Sequence, residues 1–314
     1  VWEQLQVLVR LYAGHLGVRL SPLNIMVTLA LCLVLWRVFR PGSGFLAWVF
    51  PARVYRSQSF WLDVKLLLFN GIIGLFITLN YVAVATFTAV MVAKGLGVET
   101  PLPDAGFPVL SALVVFLAAD LAIYWYHRWH HELSALWAIH ALHHSAEELS
   151  PVTTFRHHPI YGLLGVVVLS GFVGLAQGIA MTLILGSVDV ATLAGTNLFA
   201  AILNLGTANL RHSHIWLRYP GWLEHVLISP AQHQVHHSVD PRHHDRNYGE
   251  VLALWDWLFG TLYITRKDET IRFGLGDSAG APLPQPHPTL RAALVEPVAK
   301  AWSVLSGNGS GGKK

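Results

Sequence analysis

Apolar stretches long enough to cross a bilayer alternate along this chain with polar, aromatic segments in which histidine recurs. A spanning helix needs about 20 mostly apolar residues. Candidate spans run from Leu23 to Phe39, within Leu62 to Val92, from Phe107 to Tyr126, from Ile160 to Leu185 and from Val188 to Leu210. The second is long enough to tilt or to extend beyond the hydrocarbon core, and Gly186–Ser187 breaks the last two into a hairpin. Asn70, Asn80, Asn197 and Asn204 lie within spans, where interhelical hydrogen bonding is the expected role. The pattern predicts an all-α protein: a polytopic transmembrane helical bundle of about four or five spans, with a cytoplasmic histidine-rich helical cap. Residues 1–106 read as N-terminal spans, 107–265 as the histidine-bearing domain with its transmembrane hairpin, and 266–314 as a C-terminal tail.

Composition supports that reading. Of 314 residues, 53% are hydrophobic and only 12% charged, against about 25% charged in soluble domains, and the mean hydropathy is +0.46. The net charge is a modest +3, with basic residues scattered beside apolar segments, which argues for a membrane face and against nucleic-acid binding. The one cysteine, Cys32, sits in an apolar run, so cysteine–zinc motifs are absent and metal chemistry falls to histidine and oxygen ligands. No secretory signal with a cleavage site is recognisable near the first residue, and the end SGNGSGGKK reads as flexible.

Three histidine clusters stand out: HRWHH at 127–131, HALHH at 140–144 and HQVHH at 233–237. Helix positions i, i+3 and i+4 share a face. His127 with His131, His140 with His143 and His144, and His233 with His236 and His237 are therefore each expected to converge on one point. His130 reads as supporting the site; His15, His225 and His287 read as interface or hydrogen-bonding residues, and His157, His158, His243 and His244 as supporting or interface groups. The first two clusters follow the third span and the last follows the fifth, so two crossings return all three to one face. Arg37, Arg40, Arg53, Arg56 and Lys65 flank the first two spans, and Arg128, Arg156, Arg211 and Arg218 flank the histidines, which makes that face cytoplasmic by the positive-inside rule. Eight clustered imidazoles exceed the four ligands of one tetrahedral zinc, and two ions with open positions are the natural division. A redox-active pair would suit oxygen activation, although an all-histidine site accepts zinc or copper as readily as iron. A metal transporter usually carries its ligands within the spans, near the midplane. A zinc-dependent hydrolase would want fewer ligands and a carboxylate base, and HExxH is absent.

The order HRxxH, HxxHH, HxxHH among apolar spans resembles the fatty acid hydroxylase / sterol desaturase superfamily. DLAIYWYHRWHH, LWAIHALHHSAEE and SPAQHQVHHSVDPRHHDRNYGEVLALWDWLFGTLY carry the resemblance, which runs from about Asp120 to Tyr263. It implies an integral membrane, non-haem di-iron oxygenase that hydroxylates a lipid with molecular oxygen, or desaturates it. It implies two iron ions held by His127, His131, His140, His143, His144, His233, His236 and His237, with zinc able to replace iron in recombinant protein. The family adds a histidine after the last span, where RHSH offers His212 and His214, with His212 ranked first. Asp120, a heptad before His127, is expected to hold a ligand histidine, and Asp256, Glu147 and Glu148 could do likewise. Asn247 and Tyr248 belong to the NYG signature and are expected to support the site. Phe155, Trp125, Trp129, Trp137 and Trp255 read as cavity or interface aromatics. No GxGxxG or CxxCH motif is present, so electrons are expected from a separate reductase, ferredoxin or cytochrome. A reduced pterin, used by the alkylglycerol monooxygenases that resemble the family, is the other donor.

Overall fold

The structure, a computed structural model, describes residues 19–39, 41–97, 108–180 and 202–308, with 182 and 199. A helix at Pro22–Phe39 (α1) leads through two short ones, Phe45–Val49 (α2) and Ala52–Tyr55 (α3), to a long helix at Gln58–Gly95 (α4). Next come Pro108–Glu132 (α5), Ser134–His144 (α6) and Pro159–Ala180 (α7). Short helices follow at Ala208–Arg211 (α8), Pro230–His236 (α9) and Leu254–Leu258 (α10), and Leu290–Leu305 (α11) comes last. Among the described residues there is no strand, only isolated bridges such as Leu227 with Leu252.

Among the described residues, three helices are long and apolar enough to cross a membrane: α1, α4 and α7. Ser57 starts α4 by accepting from the Phe60 N–H at 3.0 Å. The helix then runs unbroken for 38 residues, about 57 Å, and so extends well beyond a hydrocarbon core of about 30 Å. The expected third span falls on α5, which continues to Glu132 and carries His127 and His131 on its last turns. Ile72 is 82% exposed and Val167 69%; such residues on apolar helices face lipid, and the protein is a membrane protein. The expected Gly186–Ser187 break and residues 188–198 of the fifth span, with Asn197, lie outside the described residues.

Helix α7 packs along α4, and the approach is set by two glycines four apart. A Cβ on Gly174 would stand 2.7 Å from Thr88 Cβ, and one on Gly178 would stand 2.6 Å from Val92 Cβ. Small residues at this spacing let membrane helices touch backbone to backbone, where dispersion rather than the hydrophobic effect drives association. Asn70 adds a polar tie, its amide donating to the Phe155 and His157 carbonyls, whereas Asn80 turns back to Phe76 O within its own helix.

At the histidine end, a fully buried ion pair joins α4 to α6. Arg156 Nη1 lies 2.8 Å from Asp63 Oδ1, and both side chains are 0% exposed. The guanidinium also donates to Leu142 O and Ser145 Oγ, and Thr153 donates to the second Asp63 oxygen. A buried pair survives only with its remaining hydrogen bonds filled, and here they fix the last turn of α6. Residues 290–305, within the expected tail, form α11, which packs on α6 as Ala293 joins Leu62, Leu66 and Leu142 in one cluster. The sequence missed it because a single apolar stripe over 16 residues is too short to stand out beside the spans.

Gly174→Ala or Gly178→Ala should force α4 and α7 apart, at about 1–3 kcal/mol for overpacking. Gly171→Ala, whose Cβ would meet nothing within 4 Å, should be neutral. Apparent melting temperatures of the purified proteins in one detergent measure the difference.

Candidate metal centre

Two sets of imidazoles meet where α5, α6 and α9 come together. His127, His131, His140, His144 and His236 form one group, and His143, His212, His233 and His237 the other; within each group the ligand atoms all lie within 4.8 Å of one another. Every one of the nine is buried. The groups adjoin: the His144 and His237 rings stack with centroids 4.4 Å apart.

The expectation that each cluster converges on one point is corrected here. His140 and His144 go to one group while His143 goes to the other; His233 and His237 go to the second while His236 goes to the first. Helix geometry gives the reason. Successive residues are about 100° apart, so i+3 and i+4 flank position i on opposite sides. Each HxxHH segment therefore sends an i, i+4 pair to one centre and its middle histidine to the neighbour.

The elements that hold these helices are built from buried polar groups. Ser229 and Gln232 form a capping box at the start of α9, with Pro230 in its first turn. Glu224, 0% exposed, accepts from Ser229 Oγ and Thr265 Oγ1 and so pins that start. On α5, the His127 Nδ1–H donates to Tyr248 O at 2.8 Å, and the His236 Nδ1–H donates to Arg246 O at 2.8 Å. These bonds fix which nitrogen of each ring faces the group. Asp256 in turn accepts from Tyr248 N and Gly249 N, both at 2.8 Å, and from Thr261 Oγ1. Burial pushes its carboxyl up to about 6, against the pull of those hydrogen bonds.

The other expected residues take different places. Asp120 touches no histidine. It accepts from Val251 N, Leu252 N and Trp255 Nε1, and so holds the segment after Tyr248 against α5. Asn247, at φ 55°, donates to Gln232 O and Tyr263 O and accepts from Tyr263 N. His212 joins the second group, whereas His214 lies outside both and donates from Nε2 to Trp48 O at 2.7 Å. Glu148 pairs with Arg53 at 3.7 Å instead of a histidine. Trp137 packs on His131 and His144 with centroids 5.1 and 5.4 Å away. His157 stacks on His143 at 4.2 Å, and His158 donates to Leu294 O. Asp63, Arg156 and Glu224 were not singled out from sequence. Asp63 was detectable by the rule that flagged Asp120, an acid in an apolar run; Arg156 and Glu224 have no sequence signal beyond charge.

The nitrogens fit a shared positive centre. A ring nitrogen has one proton or one lone pair, hence one hydrogen bond. Yet His212 Nε2 stands 3.2 Å from His143 Nε2, 3.2 Å from His237 Nε2 and 3.0 Å from His233 Nε2. In the first group His127 Nε2 lies 3.1 Å from His140 Nε2 and 3.0 Å from His236 Nε2. Nitrogens about 2.1 Å from one ion stand about 3.0–3.4 Å apart at tetrahedral to octahedral angles. Burial first, then neighbouring histidines, pushes His140, His143, His144, His212 and His233 well below the usual imidazole range, and His237 falls to about 3. Burial thus favours in these six rings the neutral form that ligation requires.

The fatty acid hydroxylase family model matches residues 112–261, the stretch that carries all nine grouped histidines. Residues 112–261 resemble a fatty acid hydroxylase domain. An alkylglycerol monooxygenase of Danio rerio is 30% identical over 168 residues, 53% of this chain and 33% of that protein. An ornithine lipid hydroxylase OlsE of Rhizobium tropici is 30% identical over 169 residues, 54% of this chain and 46% of that protein. A Delta(7)-sterol-C5(6)-desaturase of Nicotiana tabacum is 28% identical over 159 residues, 49% of this chain and 50% of that protein. The chain thus spans between a third and a half of the length of these relatives. No solved structure matches it. The fatty acid hydroxylase family is iron-dependent, and both histidine groups could hold a metal ion.

His212→Ala should lower the metal content from about two ions per chain to about one, whereas His214→Ala should leave it unchanged. Elemental analysis of the purified proteins decides; equal loss in both would refute the separation of the two residues.

Proposed function

We propose that this protein is a membrane-bound lipid hydroxylase whose two histidine groups hold a pair of iron ions. One observation carries the reading: five and four buried imidazoles form adjoining groups in a stretch that resembles a fatty acid hydroxylase domain. His127, His131, His140, His144 and His236 would hold one ion, and His143, His212, His233 and His237 the other. Bound there, iron supplies the one-electron and oxygen chemistry that zinc lacks.

The chain's own residues hold the rings and keep water from them. Tyr248, 0% exposed, closes one side with its ring 5.1 Å from His131 and 5.8 Å from His236, while Trp137 covers His131 and His144. Asp256 holds the Tyr248 backbone, whose carbonyl in turn fixes the His127 tautomer. Asp256, Asp120 and Asn247 are positioning residues in this reading: each acts through the loop that covers the histidines.

The substrate is the hydrocarbon part of a membrane lipid. Relatives named for alkylglycerols and ornithine lipid support hydroxylation, and the sterol desaturase supports removal of two hydrogens as the second reading at the same site. Electrons come from an external donor: a reductase, ferredoxin or cytochrome, or a reduced pterin. The histidine face is cytoplasmic. The Arg53–Glu148 pair and the His214–Trp48 bond tie the basic α1–α4 connection to that face, which agrees with the positive-inside rule.

Cells that express the protein should gain a lipid heavier by one oxygen, measured by lipid mass spectrometry. His140→Ala and removal of metal with a chelator should abolish that product; loss of two hydrogens instead identifies desaturation. Full product from His140→Ala would overturn the ligand assignment.

A further inference from the structure

Of two apolar clefts on the sides of the membrane helices among the described residues, one reaches the histidines. The larger, about 460 Å³, lies between α5 and α7 and is lined by Trp125, Trp129 and Phe172 among others, with no histidine. The other, about 310 Å³, lies between α4 and α7, at the lower end of the about 300–1,000 Å³ typical of ligand sites. Leu67, Asn70, Gly71, Gly74, Ile77 and Thr78 form its α4 wall, and its closed end is made by Thr154, Phe155, His157 and Tyr161.

That end adjoins both histidine groups. The His157 ring stacks on His143 at 4.2 Å and 15°. Tyr161 stacks on His157 at 4.6 Å and on His140 at 5.4 Å. Asn70 holds this wall in place by donating to the Phe155 and His157 carbonyls. The open side faces hydrocarbon. Leu68 and Ile72, beside the α4 wall, are 66% and 82% exposed, and Leu163 on α7 is 40% exposed. From Leu67 to Thr78 the wall rises about 16 Å along the helix, roughly half of a hydrocarbon core of about 30 Å. The cleft thus reaches from the histidine end into one leaflet.

Glycine keeps the cleft open at Gly71, where a Cβ would meet nothing within 4 Å; at Gly162 a Cβ would stand 2.8 Å from Ile77 Cδ1, so there the two helices are in contact.

We propose that the α4–α7 cleft takes an alkyl or acyl chain of a membrane lipid sideways from the bilayer and leads it to the His157–Tyr161 wall. Its role as a substrate path rests on the lipid hydroxylase reading; its occupation by a lipid chain does not. Apolar walls open to hydrocarbon suit an alkyl chain, which enters without the desolvation cost that a polar ligand would meet. His157 and Tyr161 then form the contact between that chain and the metal-holding rings.

The test uses the full protein in nanodiscs of phosphatidylcholine that carries a diazirine at an acyl-chain terminus. After irradiation, peptide mass spectrometry should find label on residues 154–162 and on the Gly71–Ile77 stretch. Gly71→Phe, which fills the cleft without backbone strain, should lose the 154–162 label, whereas Ile72→Phe, outward on the same helix, should keep it. Both should keep full metal content. If Gly71→Phe fails to fold, Gly71→Cys alkylated with a maleimide after purification makes the same block; the one native thiol, Cys32, is buried. Label confined to outward residues such as Leu68 and Ile72, or label at 154–162 that survives the block, would overturn the proposal. Blockable labelling in a protein that forms no oxygenated lipid would uphold the cleft and sink the hydroxylase reading; product without such labelling would do the reverse.

Discussion

Nine buried imidazoles packed in two adjoining groups are the feature on which the rest of this structure depends. Nitrogens about 3 Å apart, each able to make one hydrogen bond, cannot satisfy one another around a ring of three or four. Burial alone would therefore drive the rings apart or toward other partners. Shared coordination resolves the conflict, and the protein is shaped to hold the rings ready for it. Three helices deliver eight of them and the end of α8 the ninth, and the three helices are fixed by groups that are not ligands.

Those fixing groups are mostly buried carboxylates, two acting through side chains and two on backbone amides. Asp63 takes Arg156 and Thr153 and so anchors the end of α6. Glu224 holds the start of α9 through Ser229 and Thr265. Asp120 and Asp256 gather the amides of the loop between Asn247 and Trp255. Charge placed in low dielectric is costly when unpaired and stiff when fully hydrogen-bonded. In the four cases that stiffness is spent on orientation, which a metal site needs to about half an ångström. None of these acids reaches the histidine nitrogens, so the centre stays an all-nitrogen donor set.

The membrane helices meet a different requirement. Without water to drive association, α4 and α7 rely on close backbone contact at Gly174 and Gly178. Nearer the histidine end the same two helices leave an apolar cleft beside Gly71. Glycine thus serves contact at one end of the pair and open space at the other.

Much of the site was legible because histidine is rare and helical spacing is strict. The clusters and their common face follow from residue type, period and span order, whereas His212 was pointed to by the family resemblance alone. What spacing could not give was the division of each cluster between two centres. On one helix i+3 and i+4 both look like neighbours of i; only the position of the facing helices decides that His143 turns one way and His144 the other. The same limit governed His214, which a neighbouring carbonyl at Trp48 claims, and Asp120, whose partners lie more than 130 residues away in sequence. The sequence by itself determined the chemistry available: apolar helices, a surplus of imidazoles and acids placed among them. The tertiary structure alone decided which imidazole serves which centre and which acid holds which loop, because those choices depend on contacts between segments far apart in the chain.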